Sequence, residues 1–65
     1  MLKKTRIEKG YTQEEIARKL DISLRHYQNI EQKKTLPSVV IGLRLSLILD
    51  VSPYWLFDVI KNIAV

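Results

Sequence analysis

Residues 13–32, QEEIARKLDISLRHYQNIEQ, decide how this chain folds. Two amphipathic helical patterns stand there, separated only by Asp21, Ile22 and Ser23. The first places Ile16, Ala17 and Leu20 on one face, and the second does the same with Tyr27 and Ile30, in the i, i+3, i+4 rhythm of a helix. Ile22 supplies an apolar plug between them. So short a joint makes the helices cross steeply and leaves the outer face of the second one free. That face carries Leu24, Arg25, Gln28, Asn29 and Gln32. Apart from Leu24 it is all hydrogen-bonding capacity, which is what a helix needs to read base edges in a major groove.

Working outward, helix one is expected from about Leu2 to Lys9, with Gly10 as the left-handed residue after its end. Thr12 should cap helix two. Thr12-Gln13-Glu14-Glu15 reads as a capping box, with Tyr11 and Ile16 placed for the accompanying hydrophobic staple. Helix two should end near Leu20, and Ser23 should cap helix three. One local grammar occurs twice, since Leu20-Asp21-Ile22-Ser23 is echoed by Leu49-Asp50-Val51-Ser52. In each, a helix ends, Asp takes a positive φ, an apolar residue plugs inward and Ser caps the next helix. Pro53 then suits the first position of a fifth helix, running toward Ile60 and burying Leu56 and Ile60. Residues 38–49 are β-branched at the start, and Leu43 to Leu47 alternates like a strand. Their length, leucine content and flanking Pro37-Ser38 and Asp50 favour a helix.

Composition bounds the rest. Sixty-five residues make one domain, 1–65, that buries only about 60% of its unfolded surface. An apolar content of 46% is too high for a disordered chain. Arg44 and Asp50 interrupt the longest apolar run before it reaches the roughly 18 residues of a membrane span. Met1-Leu2-Lys3-Lys4 is basic like the start of a signal peptide, but Arg6, Glu8 and Lys9 occupy the place of its apolar segment. A cytoplasmic protein is expected. Nine of the eleven Lys/Arg and five of the seven Asp/Glu fall within residues 1–37, so the whole net charge of +4 lies in the half with the helix pair. Such a bias suits phosphates, although +4 is also ordinary solubility charge.

Catalysis finds no footing. One histidine, no cysteine, no glycine-rich phosphate loop and no facing carboxylates leave neither a nucleophile–base set nor a metal site. Glu14 and Glu15 point apart, and Glu15 is committed to the cap. The expectation is a non-enzyme with no cofactor and no metal.

Arg6, then Gly10-Tyr11-Thr12-Gln13-Glu14-Glu15-Ile16-Ala17, Ser23, Tyr27, Ile30-Glu31, Pro37-Ser38 and Leu49-Asp50-Val51-Ser52 together resemble the Cro/C1-type helix-turn-helix family, to which phage repressors and many small bacterial regulators belong. The likeness runs from Leu2 to about Phe57. It implies an all-α, five-helix, lambda-repressor-like DNA-binding domain with a central helix-turn-helix, binding an operator in double-stranded DNA as a homodimer. Carried over residue by residue, it implies base contacts from Leu24, Arg25, Gln28 and Asn29. Arg25 suits guanine and Asn29 suits adenine, while Leu24 offers only apolar contact to a thymine methyl. Gln13, Ser23 and Lys34 are implied phosphate contacts, and Lys33 joins Lys34 as a basic pair beside the recognition helix. Arg6 and Glu31 match a pair tying helix one to the end of helix three, which contributes little if exposed. His26 is expected to be plain surface.

Several positions depart from the family pattern. Asp21 and Lys33 stand where glycine is usual, Thr5 replaces an apolar residue, and Val40, Ile41 and Leu47 are apolar where polar residues are common. A helix apolar nearly all round must be covered on more than one side. Val40, Ile41 and Leu47, with Trp55, Phe57 and the Ile63-Ala64-Val65 tail, are therefore expected to form a homodimer interface. Tyr27 and Trp55 read as core or interface residues rather than stacking platforms for single strands. The chain leaves no room for an effector domain, so no small-molecule effector is expected. The rival reading is a protein-interaction module, or an antitoxin, that uses the apolar surface of helices four and five and binds DNA only secondarily.

Overall fold

The computed structural model describes residues 2–55. Among them are four helices and no strand: α1 (Leu2–Glu8), α2 (Gln13–Leu20), α3 (Leu24–Glu31) and α4 (Val39–Leu49). The expected count of five is thus not met within the described residues. Pro53 and Tyr54 form a turn there, and most of the segment expected as helix five, with Leu56, Phe57, Ile60 and the Ile63-Ala64-Val65 tail, lies outside them.

Each boundary has a local cause. Gly10 takes φ 82°, and the Tyr11 N–H donates back to the Arg6 carbonyl at 3.1 Å, closing α1 one residue earlier than its pattern suggested. The capping box is complete: the Glu15 N–H donates to Thr12 Oγ1 at 3.1 Å, and the Thr12 N–H to Glu15 Oε1 at 3.0 Å. The backbone N–H of Thr12 first, and its hydroxyl second, hold the exposed Glu15 carboxyl below its usual value. Ser23 caps α3 and Ser38 caps α4, their hydroxyls accepting from the N–H of His26 and Ile41. The strand-like reading of residues 38–49 loses to the helix.

The repeated grammar is one joint built twice. Asp21 and Asp50 both adopt the left-handed conformation, at φ 58° and 53°. The next residue donates five residues back in each case: Ile22 to the Ala17 carbonyl and Val51 to that of Ser46, both at 3.0 Å. Lys33 is left-handed as well, at φ 63°, and the Lys34 N–H reaches the Asn29 carbonyl at 2.8 Å. The loop after α3 therefore follows the path a glycine would give it, at some conformational strain.

Ile16, Ala17, Leu20, Tyr27, Leu45, Leu49 and Trp55 make the core, with Leu2, Tyr11, Ile22, Ile41, Ile48 and Val51 packed around it. Fully burying a side chain such as Ile16 or Leu45 contributes about 1.5–3 kcal/mol. The core draws on α2, α3 and α4 far more than on α1, whose one fully buried residue is Arg6. Beside the partly buried Leu2, a guanidinium fastens α1. It donates to the Tyr11 carbonyl at 2.7 Å and to both oxygens of Glu31 at 3.0 and 3.1 Å.

Candidate nucleic-acid interface

The short Asp21-Ile22-Ser23 joint turns the start of α3 outward beside the start of α2. Ser23, Leu24, Arg25 and His26 are exposed on the first turn of α3, and Gln28 and Asn29 are half-buried on the next. Leu24, the apolar member of the face, is 37% exposed. Lys33 and Lys34 stand exposed on the loop beyond α3. Structure thus brings the four expected base-reading residues onto one helix, with the two lysines at its far end and Gln13 opening α2 next to Gln28.

Gln13 does more than open a helix. Its Nε2 donates to Glu31 Oε1 at 3.2 Å, and its Oε1 accepts from Gln28 Nε2, also at 3.2 Å. With the Arg6 pair, four side chains from α1, α2 and α3 form a single hydrogen-bonded row that surfaces at Gln28. A depression of about 360 Å³ lies over it, lined by Gln13, Leu24 and Gln28 with Arg6, Tyr11, Thr12 and Glu14. Among the described residues one N–H of the Gln13 amide remains uncommitted. The hydroxyl proton of Ser23, whose oxygen accepts the capping bond, is likewise available.

The ion pair is not the exposed one considered from sequence. The Arg6 and Glu31 side chains are only 9% and 3% exposed. Burial works against the charged carboxylate, but the bonds from Arg6 and Gln13, with the Tyr27 hydroxyl close by, outweigh it and hold Glu31 below its ordinary value. The Arg6 guanidinium is raised above its own, chiefly by its bonds to Glu31. Tyr27 lies fully buried beside this pair, and burial first, Glu31 second, push its phenol well upward. Its hydroxyl makes no hydrogen bond of good geometry among the described residues. Lys19 Nζ sits 5.8 Å from the centre of the Tyr11 ring, a cation–π contact on the outer side of α2.

The described residues expected to bury a second copy separate into three groups. Val40 and Leu47 are exposed, at 57% and 82%, and with Val39 and Leu43 they form a continuous apolar stripe along α4. Ile41 is half-buried against the core of its own chain. Trp55, expected as core or interface, is 5% exposed and packs into the core of its own chain, its indole N–H donating to Ser46 Oγ at 2.7 Å. Phe57 lies outside the described residues. No described helix is long and apolar enough to cross a membrane.

Sequence reasoning missed two things, the amide row and the Ser46–Trp55 bond. Gln28 and Glu31 do share a face at i, i+3, which is the one signal of the row in the chain itself.

Residues 1–61 match the family described as "Helix-turn-helix domain". A Bacillus subtilis protein, "Uncharacterized HTH-type transcriptional regulator YqaF", is 43% identical over 44 residues, which is 68% of this chain and 58% of that protein. The aligned stretch is therefore under two thirds of the relative's length. No solved structure matches significantly. The joined α2 and α3, their caps and the match over nearly all of the sequence agree, and the chain belongs to the helix-turn-helix domain family.

Proposed function

We propose that this chain is a sequence-specific DNA-binding transcriptional regulator of the Cro/C1 type, a repressor that holds a near-palindromic operator as a homodimer. The observation that carries this reading is the outer face of α3. Leu24 and Arg25 project from it, and Gln28 and Asn29 line it, in the half of the chain that holds all the net positive charge. Arg25 reads guanine through paired donors, and Asn29 or Gln28 reads adenine. Ser23, Lys33, Lys34, the free Gln13 N–H and the first backbone N–H groups of α2 take phosphates. The resemblance of the chain to a protein named as a transcriptional regulator supports the same assignment.

Homodimer formation is supported by the Val39, Val40, Leu43 and Leu47 stripe, which a second copy covers while two α3 helices enter major grooves about 34 Å apart. The same stripe favours the runner-up, a partner protein of another kind such as a toxin, with DNA binding secondary.

Selection of duplexes from a randomised pool at physiological salt, run beside Arg25→Ala, tests the reading. The wild type should enrich a two-fold symmetric site. Arg25→Ala should lose about 1–3 kcal/mol and become degenerate at one base pair. Weak, salt-sensitive binding without enrichment would reject the operator reading and leave the α4 stripe as the functional surface.

A further inference from the structure

The row from Arg6 to Gln28 has a direction, and that direction has consequences at its exposed end. Two facing glutamine amides can bond either way round, because each carries a donor and an acceptor. A carboxylate cannot, since an ionised Glu31 only accepts. Glu31 already takes both Arg6 donors, and it then obliges Gln13 to turn its nitrogen inward at 3.2 Å. The Gln13 oxygen is thereby aimed at Gln28, which must answer with its own nitrogen at 3.2 Å. Each amide orientation is dictated by the hydrogen-bonding chemistry of its neighbour, starting from a group with no choice.

What remains on Gln28 is its Oε1 and one N–H, an acceptor and a donor side by side. That is the pattern that pairs with the N6 amino group and N7 of adenine in the major groove. Were the row reversed, Gln28 would give its oxygen to Gln13 and present two N–H groups. Two donors suit the O6 and N7 acceptors of guanine.

We infer that Glu31 is a positioning residue for base recognition, acting through Gln13 to fix the amide of Gln28 in the orientation that selects adenine. The inference rests on the DNA-binding reading above. It assigns the buried pair a second task beyond fastening α1, and it assigns Gln13 a part in specificity distinct from any phosphate contact.

Glu31→Gln tests the direction. An amide there is no longer an obligate acceptor: with its nitrogen at the Oε1 position, shared by Arg6 Nη2 and Gln13, it offers Gln13 a donor, so the bonds to Gln28 can run in either direction. Circular dichroism confirms folding, and the readout is the ratio of binding to duplexes carrying adenine or guanine at the position made degenerate by Gln28→Ala. The wild type should favour adenine by about tenfold or more, and Glu31→Gln should shift that ratio toward guanine. Gln13→Met keeps the Arg6–Glu31 pair and cuts the relay, so it remains informative if Glu31→Gln does not fold. It should flatten the ratio at that one position. Loss of a phosphate contact lowers affinity for all sequences alike and leaves the ratio where it was. A wild type that enriches no site overturns the DNA reading and this inference with it. A wild type that enriches a site at which neither variant alters the ratio overturns the relay alone.

Discussion

The Trp55 indole nitrogen lies 2.7 Å from the Ser46 hydroxyl oxygen, and that hydroxyl donates in turn to the Gly42 carbonyl one helical turn back, at 3.0 Å. Both residues are 5% exposed, so each group finds in the other the partner that water cannot supply. A serine inside a helix that bonds its i−4 carbonyl is ordinarily a slight liability. Here the same oxygen anchors the chain after α4 onto the core.

Ser46→Ala should therefore destabilise the domain by about 1–3 kcal/mol, the penalty for a buried donor left unpaired, offset slightly by better helix propensity. Urea unfolding followed by the fluorescence of the single tryptophan measures it. Unchanged stability would show that the indole N–H finds another acceptor.

Acid should loosen α1 through Glu31. Its carboxyl is held below the usual 4.5 in the folded chain, so the unfolded chain takes up the proton first. The stability contributed by Glu31 is fully present above about pH 4.5 and is lost as pH falls through the lower folded value. Urea midpoints should be flat from pH 7 to 5 and should drop toward pH 3. Equal midpoints at pH 3 and 6 would contradict the coupling. Glu15, also depressed, contributes in the same direction, and Glu15→Gln removes its share without touching Glu31.

Lys33 holds φ 63° where glycine would sit without strain. Lys33→Gly should raise stability by about 0.5–1 kcal/mol, or several degrees in thermal midpoint for a domain of this size. A lowered midpoint would show that the lysine stem packs well enough to outweigh its backbone.

The joints were legible because their causes are local. Thr12 and Glu15 sit three apart, and Asp21 and Asp50 each precede an apolar plug and a serine, so spacing alone predicts caps and turns. The face of α3 was legible for the same reason, and the α4 stripe showed as an excess of Val and Leu. The amide row was not, because Gln13 and Gln28 meet only once α2 and α3 have crossed at their actual angle. Trp55 was read as interface or core because the path after Asp50 decides which side of α4 it reaches, and no periodicity reports that. The depth of the Arg6–Glu31 pair escaped as well, since charge pairing in a sequence carries no information on burial.

The twin corners at Asp21 and Asp50 also bear on how quickly this chain finds its shape. Each is closed by backbone bonds reaching only three to five residues back, so the loss of chain freedom on forming either one is small. By contrast, the clasp between Arg6 and Glu31 spans 25 residues and closes a loop containing α2 and most of α3. The order of assembly follows from these lengths. On these lengths the corners should form early, the apolar faces of α2, α3 and α4 should collapse onto them and α1 should be fastened last, as expected of helical domains whose contacts are mostly local.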